Sequence, residues 1–275
     1  MNLEKYFISQ FHNSSIGDDG AILGNIDDMV VSKDAFFENV HFKSSWMSYY
    51  QIAKKAMIIN ISDAIAMNAK PKYILLSVAM PKSITKFQMQ DLVRGFEETA
   101  KKYGAEIVGG DTISNSKLDI TVTVISTAAK PLKRSGLRDG YMLAFTGTLG
   151  NSAKELKKLF NLGKIHKQSK FIDIQLRAKF ISNAQRVLSS GMDISDGLYS
   201  DLEKLSELNR VGFNFTKKVD KTLACSGEEY EMLIAFDKRN RKSVLRRAQQ
   251  SRTKLNIFAT ATRAKYLNRC KSHHF

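Results

Sequence analysis

Gly17-Asp18-Asp19-Gly20, Gly109-Gly110-Asp111-Thr112 and Asp193-Ile194-Ser195-Asp196-Gly197 set single carboxylates among glycines and small residues, and Asp34 and Asp63 stand in similar surroundings. Carboxylates presented on tight, glycine-flanked turns suit hard cations held against a polyphosphate. Mg²⁺ takes one or two carboxylates per ion and keeps its other positions for water and phosphate oxygens, so a multi-ion nucleotide site needs many single aspartates from separate segments. Two uncompensated carboxylates about 4 Å apart repel by up to about 4 kcal/mol at an effective dielectric near 20. A converging set therefore requires cations or shifted pKa values, and metal binding is the simpler account. Each motif taken alone reads equally well as a turn, or, for the third, as a helix N-cap. Their joint occurrence favours the chemistry. The chain has no G-x-x-x-x-G-K-[ST], no kinase glycine loop followed by H-R-D and D-F-G, and no G-x-S-x-G, which excludes a P-loop, a protein-kinase site and the usual nucleophile elbow.

Alternating α and β segments must position these residues. The first half reads strand, helix, strand, helix, strand, strand. Met29 to Asp34 and Tyr73 to Met80 are strand-like. Gln51 to Met67 is a helix with Asn60 and Asp63 on one face; Asn68 is suited to a left-handed cap, and Pro71 blocks continuation. Met89, Leu92, Phe96, Ala100 and Tyr103 form the apolar stripe of a second helix that closes at Gly104. Ile107-Val108 then lead into the Gly-Gly-Asp-Thr turn, and Asp119 to Ala128 alternates as a strand. The polar segment 130–136 holds the last of three prolines and is the linker candidate, giving domains 1–130 and 137–275. The second half opens on the strand Tyr141 to Thr146 and the turn 147–150. Helices follow near Ser152, around Gln175 to Leu188 and at Tyr199 to Leu208, with strands at Val211 to Phe215, Tyr230 to Phe236 and Leu255 to Thr260.

The length of 275 residues and 43% hydrophobic content allow a substantial core. No apolar run approaches the roughly 20 residues of a membrane span, and residues 1–12 lack a signal-peptide layout, so the expected location is cytoplasmic with no membrane partner. Cys225 and Cys270 form no C-x-x-C pair, and they read as buried or incidental thiols. The net charge of +16 lies entirely after residue 130 and concentrates at residues 238–254. No aromatic residues interleave that basic run, so a solvated helix face is favoured over a nucleic-acid platform.

In order along the chain, Gly17-Asp18-Asp19, Ser32-Lys33-Asp34 leading to Asn39-Val40-His41-Phe42, Asn60-Ile61-Ser62-Asp63, Gly109-Gly110-Asp111-Thr112, Arg134-Ser135-Gly136, Thr146-Gly147-Thr148-Leu149-Gly150, Asp193-Ile194-Ser195-Asp196-Gly197-Leu198 and Gly227-Glu228-Glu229-Tyr230-Glu231 resemble the thiamine-monophosphate kinase family over nearly the whole chain. The resemblance implies the two-domain α/β fold of the aminoimidazole ribonucleotide synthetase-like superfamily, in which amino-terminal mixed sheets pair in a homodimer and ATP lies between the domains. It implies transfer of the γ-phosphoryl of ATP to thiamine monophosphate. By motif position, Asp19, Ser32, Asp34, Asp63, Asp111, Asp193 and Asp196 are the implied Mg²⁺ ligands, and Gly110, Asp111, Arg134 and Ser195 the implied ATP contacts. His41, Glu228 and Phe275 are the implied substrate contacts. No residue is implied as a nucleophile or base, because the acceptor is already an ionised phosphate and the transition state needs positioning and charge neutralisation.

Lys33 stands where the family has Thr, which removes a hydroxyl and is expected to bring an ammonium near the phosphates. Ser226 and Asp139-Gly140-Tyr141 also depart from the pattern, beside the site. Without the resemblance, His41 between Val40 and Phe42 reads as a packed histidine. Two other readings remain: a different ATP-using member of the same superfamily, against whose selenide-activating branch the absence of cysteine from residues 1–224 argues, and a basic nucleic-acid-binding protein.

Overall fold

The computed structural model describes Gln10 and residues 29–271. The chain divides into two compact units, Met1–Ala64 with Ala69–Ala129, and Ile65–Asn68 with Lys130–Phe275.

In the first unit β1 (Met29–Phe37), β2 (Lys70–Pro81), β3 (Glu106–Asn115) and β4 (Asp119–Thr127) form one mixed sheet in the order β1-β4-β2-β3. β4 is antiparallel to β1 and β2, and β2 is parallel to β3. Helix α1 (Tyr49–Ala66) lies between β1 and β2, and α2 (Lys86–Tyr103) between β2 and β3. The strands alternate as their period of two requires: Ile120, Val122 and Val124 of β4 and Ile74, Leu76 and Val78 of β2 are buried. Helix α1 is buried on nearly every side, as a helix apolar all round must be. It ends where expected, with Asn68 at φ +56°. In α2, Thr85 and Gln88 exchange both bonds of a capping box, and Gly104 closes the helix at φ +70°.

The Gly-Gly-Asp-Thr segment is not a turn, because residues 109–112 lie inside β3. The glycine has a packing reason: a Cβ at Gly110 would stand 1.6 Å from Leu76 O, so only glycine lets β3 approach β2 there.

The second unit is built on a five-stranded sheet, ordered β6-β8-β5-β9-β7, from β5 (Met142–Thr146), β6 (Ser190–Asp193), β7 (Gly212–Phe215), β8 (Met232–Phe236) and β9 (Leu255–Thr262). Its helices are α3 (Asn151–Phe160), α4 (Ala178–Ala184), α5 (Leu198–Asn209), α6 (Lys221–Ala224) and α7 (Arg241–Gln250). The helix expected from Gln175 to Leu188 is shorter, and continues only as a 3₁₀ turn at Gln185–Val187. The basic run carries α7, whose Val244 and Ala248 are buried while its other positions face outward or lie at the rim.

Cys225 and Cys270 are not incidental thiols. They form a disulfide across 45 residues, with Cα atoms 5.5 Å apart, which closes a loop worth roughly 4 kcal/mol in the chain-entropy picture. Their spacing carries no signal, since the pairing arises only when the segment after β9 returns to the end of α6. Among the described residues no helix is long and apolar enough to cross a membrane.

Candidate active site

In the first unit the implied metal and nucleotide residues fall on both faces and opposite edges of one sheet. Ser32 and Asp34 lie two apart on β1, on the same face as buried Phe36. The Ser32 hydroxyl donates to Asn60 O at 3.3 Å and to Asn60 Oδ1 at 3.4 Å, which ties this edge of the sheet to α1. Asp63 follows three residues later on the same helix. Asn60 is fully buried and its Nδ2 finds no partner among the described residues. Lys33 points the other way. It stands opposite Thr123, to whose Oγ1 its ammonium donates at 3.4 Å on the exposed side of the sheet, so the strand's pleat removes it from the face of Ser32 and Asp34. Its own, exposed face also carries Asp111, whose register partner on β1 is Ala35, two residues from Lys33.

Asp111 stands in register with Ser77, Thr121 and Ala35, and Gly110 with Leu76, Val122 and Asp34. Asp111 is thus three strands from the β1 edge, about 14 Å at normal strand spacing, and its Oδ1 accepts from Thr112 N. The fold does not bring Asp111 beside Asp34.

His41 closes a tight turn after β1, with Asn39 at φ +67°. Its ring lies 5.7 Å from the Phe36 ring, and its Nδ1 accepts from the Phe37 N–H at 3.0 Å. That bond assigns the proton of the neutral imidazole to Nε2, which makes His41 a donor for an anionic ligand. Packed and polar readings of this residue describe the same histidine. Asp19 and Phe275 lie outside the described residues.

The second unit stitches two motifs together. Glu228 N donates to Ser195 O at 2.7 Å, Tyr230 N to Ile194 O at 2.9 Å, and Ile194 N to Glu231 O at 2.7 Å. The loop implied for substrate is thus bound, by backbone alone, to the loop implied for ATP. Glu228 and Tyr230 both hold positive φ, +53° and +50°, a region costly for non-glycine residues unless the surroundings fix it.

Two buried glutamates do the fixing, and both were missed in the sequence. Glu229 is fully buried. Its Oε1 accepts from Gly150 N, Ser152 N and the Ser226 hydroxyl, and its Oε2 from Lys170 Nζ at 2.9 Å. Its charge therefore sits at the N-terminus of α3, where unpaired amides and the helix dipole favour an anion. Glu231 receives Arg177 in a two-pronged bond at 2.7 and 2.8 Å, Lys170 at 3.1 Å and the Thr146 hydroxyl at 2.6 Å. Burial works to raise its carboxyl, but the Arg177 bond, the Lys170 charge and Thr146 outweigh it and hold the group below the usual range. Gly147 completes the fit, since a Cβ there would stand 1.9 Å from Glu231 Oε1. A run of three acids entering an apolar strand was the signal available, because buried charges demand cations elsewhere in the chain.

The Asp193-to-Gly197 turn does not cap α5 with a side chain; Gly197 occupies the cap at φ +100°. Asp193 is 2% exposed. Asp196 and Asp201 share Lys204, whose Nζ is 2.5 Å from Asp196 Oδ2 and 2.8 Å from Asp201 Oδ1. Burial pushes the Asp201 carboxyl up to about 7 against the pull of that ammonium. The Arg134 carbonyl accepts from Ser190 and Asn209, and the Asn209 side chain also accepts from the amides of Gly136 and Leu137, so Asn209 holds the Arg-Ser-Gly loop.

A mixed sheet with one uncovered face, a second α/β unit and scattered oxygen donors define the AIR synthase-like fold. The family model "AIR synthase related protein, N-terminal domain" matches residues 17–128. The thiamine-monophosphate kinase of Bacillus subtilis is 32% identical over 228 residues, 76% of this chain and 70% of the relative. The crystal structure of thiamine-monophosphate kinase from Stenotrophomonas maltophilia superimposes with a TM-score of 0.81 at 21% identity, covering 92% of this chain and 90% of that one. A further structure, AaThiL complexed with AMPPCP and TMP, superimposes at 0.78 with 22% identity, over 96% of this chain and 91% of that chain. The chain belongs to the thiamine-monophosphate kinase family.

Proposed function

We propose that this protein transfers the γ-phosphoryl group of ATP to the phosphate of thiamine monophosphate, forming thiamine diphosphate and ADP, with several Mg²⁺ ions. The observation that carries the reading is the backbone pairing of the Ser195 and Glu228 loops, supported by the identity with thiamine-monophosphate kinases. Incubation with ATP, Mg²⁺ and thiamine monophosphate should yield thiamine diphosphate and ADP in equal amounts by chromatography; ADP without thiamine diphosphate would defeat it.

The donor set suits Mg²⁺. Ser32, Asp34, Asp63, Asp111, Asp193 and Asp196 offer only hard oxygens, and Asp19 would join them. Mg²⁺ takes one or two carboxylates and completes its shell with water and phosphate, and among the described residues no three His, Cys, Asp or Glu gather at one point. When bound, Mg²⁺ neutralises phosphate charge. The protein's own part is positioning. The His41 Nε2–H donates to a phosphate oxygen, the Arg134 guanidinium and the Ser195 segment hold the nucleotide, and Gly110, where β3 packs tightly on β2, is a further nucleotide contact. The Glu228 carboxylate, at the start of the segment anchored by buried Glu229 and Glu231, attracts the thiazolium cation, and Phe275, outside the described residues, is the remaining substrate contact implied by the family resemblance. The acceptor oxygen is already ionised, so no side chain has to remove a proton.

We also infer a homodimer in the cytoplasm, with residues 1–130 as the nucleotide-binding and dimerisation domain and 137–275 completing the substrate site. The open face of the first sheet carries Met29, Val31, Leu75 and Ile113, which are 60, 54, 37 and 58% exposed, with Ile125 in register beside Val31. These apolar side chains share the face with Lys33, Thr123 and Asp111, and a second copy of the same face is the simplest cover for its apolar part. Val31→Lys should convert a dimer to a monomer in sedimentation velocity; a wild-type monomer at micromolar concentration would remove the inference.

A further inference from the structure

The stretch that follows β9, residues 263–271, has no helix or strand of its own. Side chains tie it to α5: the Tyr266 hydroxyl donates to Tyr199 O at 3.0 Å, and the Asn268 side-chain amide donates to Glu203 Oε2 at 3.0 Å. Asn268 Oδ1 in turn accepts the Cys270 N–H at 3.0 Å. The last tie is covalent, because Cys270 is bonded to Cys225 at the end of α6. The stretch is therefore a strap from α5 to α6, and its far end is held by sulfur.

Cys225 is placed where a change would be felt. It immediately precedes Ser226, whose hydroxyl donates to buried Glu229 Oε1 at 2.6 Å. A Cβ on Gly197 would lie 3.1 Å from both Ala224 O and the Cys225 carbonyl carbon, so the backbone at Cys225 packs on the turn that carries Ser195. A few residues further on, the Glu228 and Tyr230 amides donate to Ser195 O and Ile194 O at 2.7 and 2.9 Å. Both residues hold positive φ, a conformation that lasts only while its surroundings over-determine it. The disulfide is one of those surroundings. Both cysteines are half-buried and they are the only two in the chain, so a small thiol can reach the bond and no third cysteine competes for it. In the reducing compartment inferred above, a disulfide is transient and redox-sensing, and a partly exposed one is the more labile.

We propose that Cys225–Cys270 is a thiol-responsive clamp, which holds the Glu228 loop in its substrate-binding conformation when oxidised and loosens it when reduced. Its effect on substrate rests on the phosphotransfer reading above. The exchange balances with a dithiol as reductant. One thiolate of the dithiol attacks a sulfur of the bond to give a mixed disulfide, and its second thiol resolves that intermediate. Cys225 and Cys270 leave as two thiols, and the reductant closes into its own disulfide; a low-molecular-weight disulfide runs the exchange backwards.

Hydrogen exchange read by mass spectrometry tests the clamp on the full chain, oxidised with glutathione disulfide or reduced with dithiothreitol, with thiols counted in each state. Reduction should expose both thiols and speed exchange of the strap and of the Glu228 and Tyr230 amides on the order of tenfold, while β8 keeps its protection. The Cys225→Ser/Cys270→Ser protein should show the reduced pattern whether or not dithiothreitol is present. KM for thiamine monophosphate should rise by a similar factor on reduction, with a smaller change in kcat. Two free thiols after glutathione disulfide, equal exchange at Glu228 and Tyr230 in the two states, or an unchanged KM overturns the proposal. If the double variant does not fold, the two states of the wild type decide it alone. Exchange needs no product, so a wild type that makes no thiamine diphosphate would defeat the function while the Glu228 and Tyr230 amides still judge the clamp.

Discussion

Asp193→Asn is expected to lower kcat/KM for thiamine diphosphate formation by on the order of 10²- to 10³-fold. A metal-borne stabilisation of phosphoryl charge is worth several kcal/mol, and each 1.36 kcal/mol is tenfold in rate. The substitution keeps the volume of a side chain that is 2% exposed and removes only its charge. Initial rates across a Mg²⁺ titration check it, with far-ultraviolet circular dichroism as the control for folding. The loss should be partly recovered at high Mg²⁺ if the residue holds an ion. A folded variant within threefold of wild type at all Mg²⁺ concentrations would show that Asp193 does not carry metal.

Glu231→Ala is expected to be the most destabilising single change in the second unit. Its carboxylate is the common partner of Arg177, Lys170 and the Thr146 hydroxyl, and breaking a buried ion pair by removing one partner costs roughly 3–5 kcal/mol. In a domain of this size that corresponds to a fall in Tm of roughly 10 °C. The melting scan should be run with Glu231→Gln as a milder companion, which keeps hydrogen-bonding capacity and loses the charge. The pH dependence has a definite sign. The folded Glu231 carboxyl lies below its usual range, so its contribution to stability is present above the ordinary glutamate value near 4.3 and is lost as pH falls through the folded value. The gap in Tm between wild type and Glu231→Gln should therefore narrow below about pH 4. A gap independent of pH would mean that packing, and not charge, sets the effect. The Glu228 loop is fixed by the same network, so the folded companion variant should also show a raised KM for thiamine monophosphate with a smaller change in kcat.

The elements of the first unit were readable because their signals are local. β4 alternates Ile120, Val122 and Val124 against threonines and is a strand with those three buried. Asn68, Gly104 and the Thr85 cap end or begin helices by the chemistry of their own few residues. β3 failed as a strand for an instructive reason. Two consecutive glycines are a turn signal on their own, and only the approach of Leu76 O to Gly110 turns them into a requirement of sheet packing. Lys33 was legible as a departure from the family pattern, while the pleat decides that it lies on the face opposite Ser32 and Asp34.

The candidate site was legible as a list of acidic motifs and not as a set of electrostatic states. Nothing in the spacing of Glu229 and Glu231 names Lys170 or Arg177, far earlier in the chain, since a buried charge can take its partner from any segment that the fold brings within reach. The Lys204 pairing was half visible, through its three-residue spacing from Asp201, but its second bond to Asp196 depends on the path of the turn.

By itself the sequence determined the family, the α/β order and which residues bring oxygen donors, because motif chemistry and hydrophobic period are properties of short stretches of chain. Only the tertiary structure decided which of those donors are already paired, which face each occupies, and that Cys225 and Cys270 meet. Charge pairing and sheet register are contacts between distant segments, and their energies exist only once the chain has closed on itself.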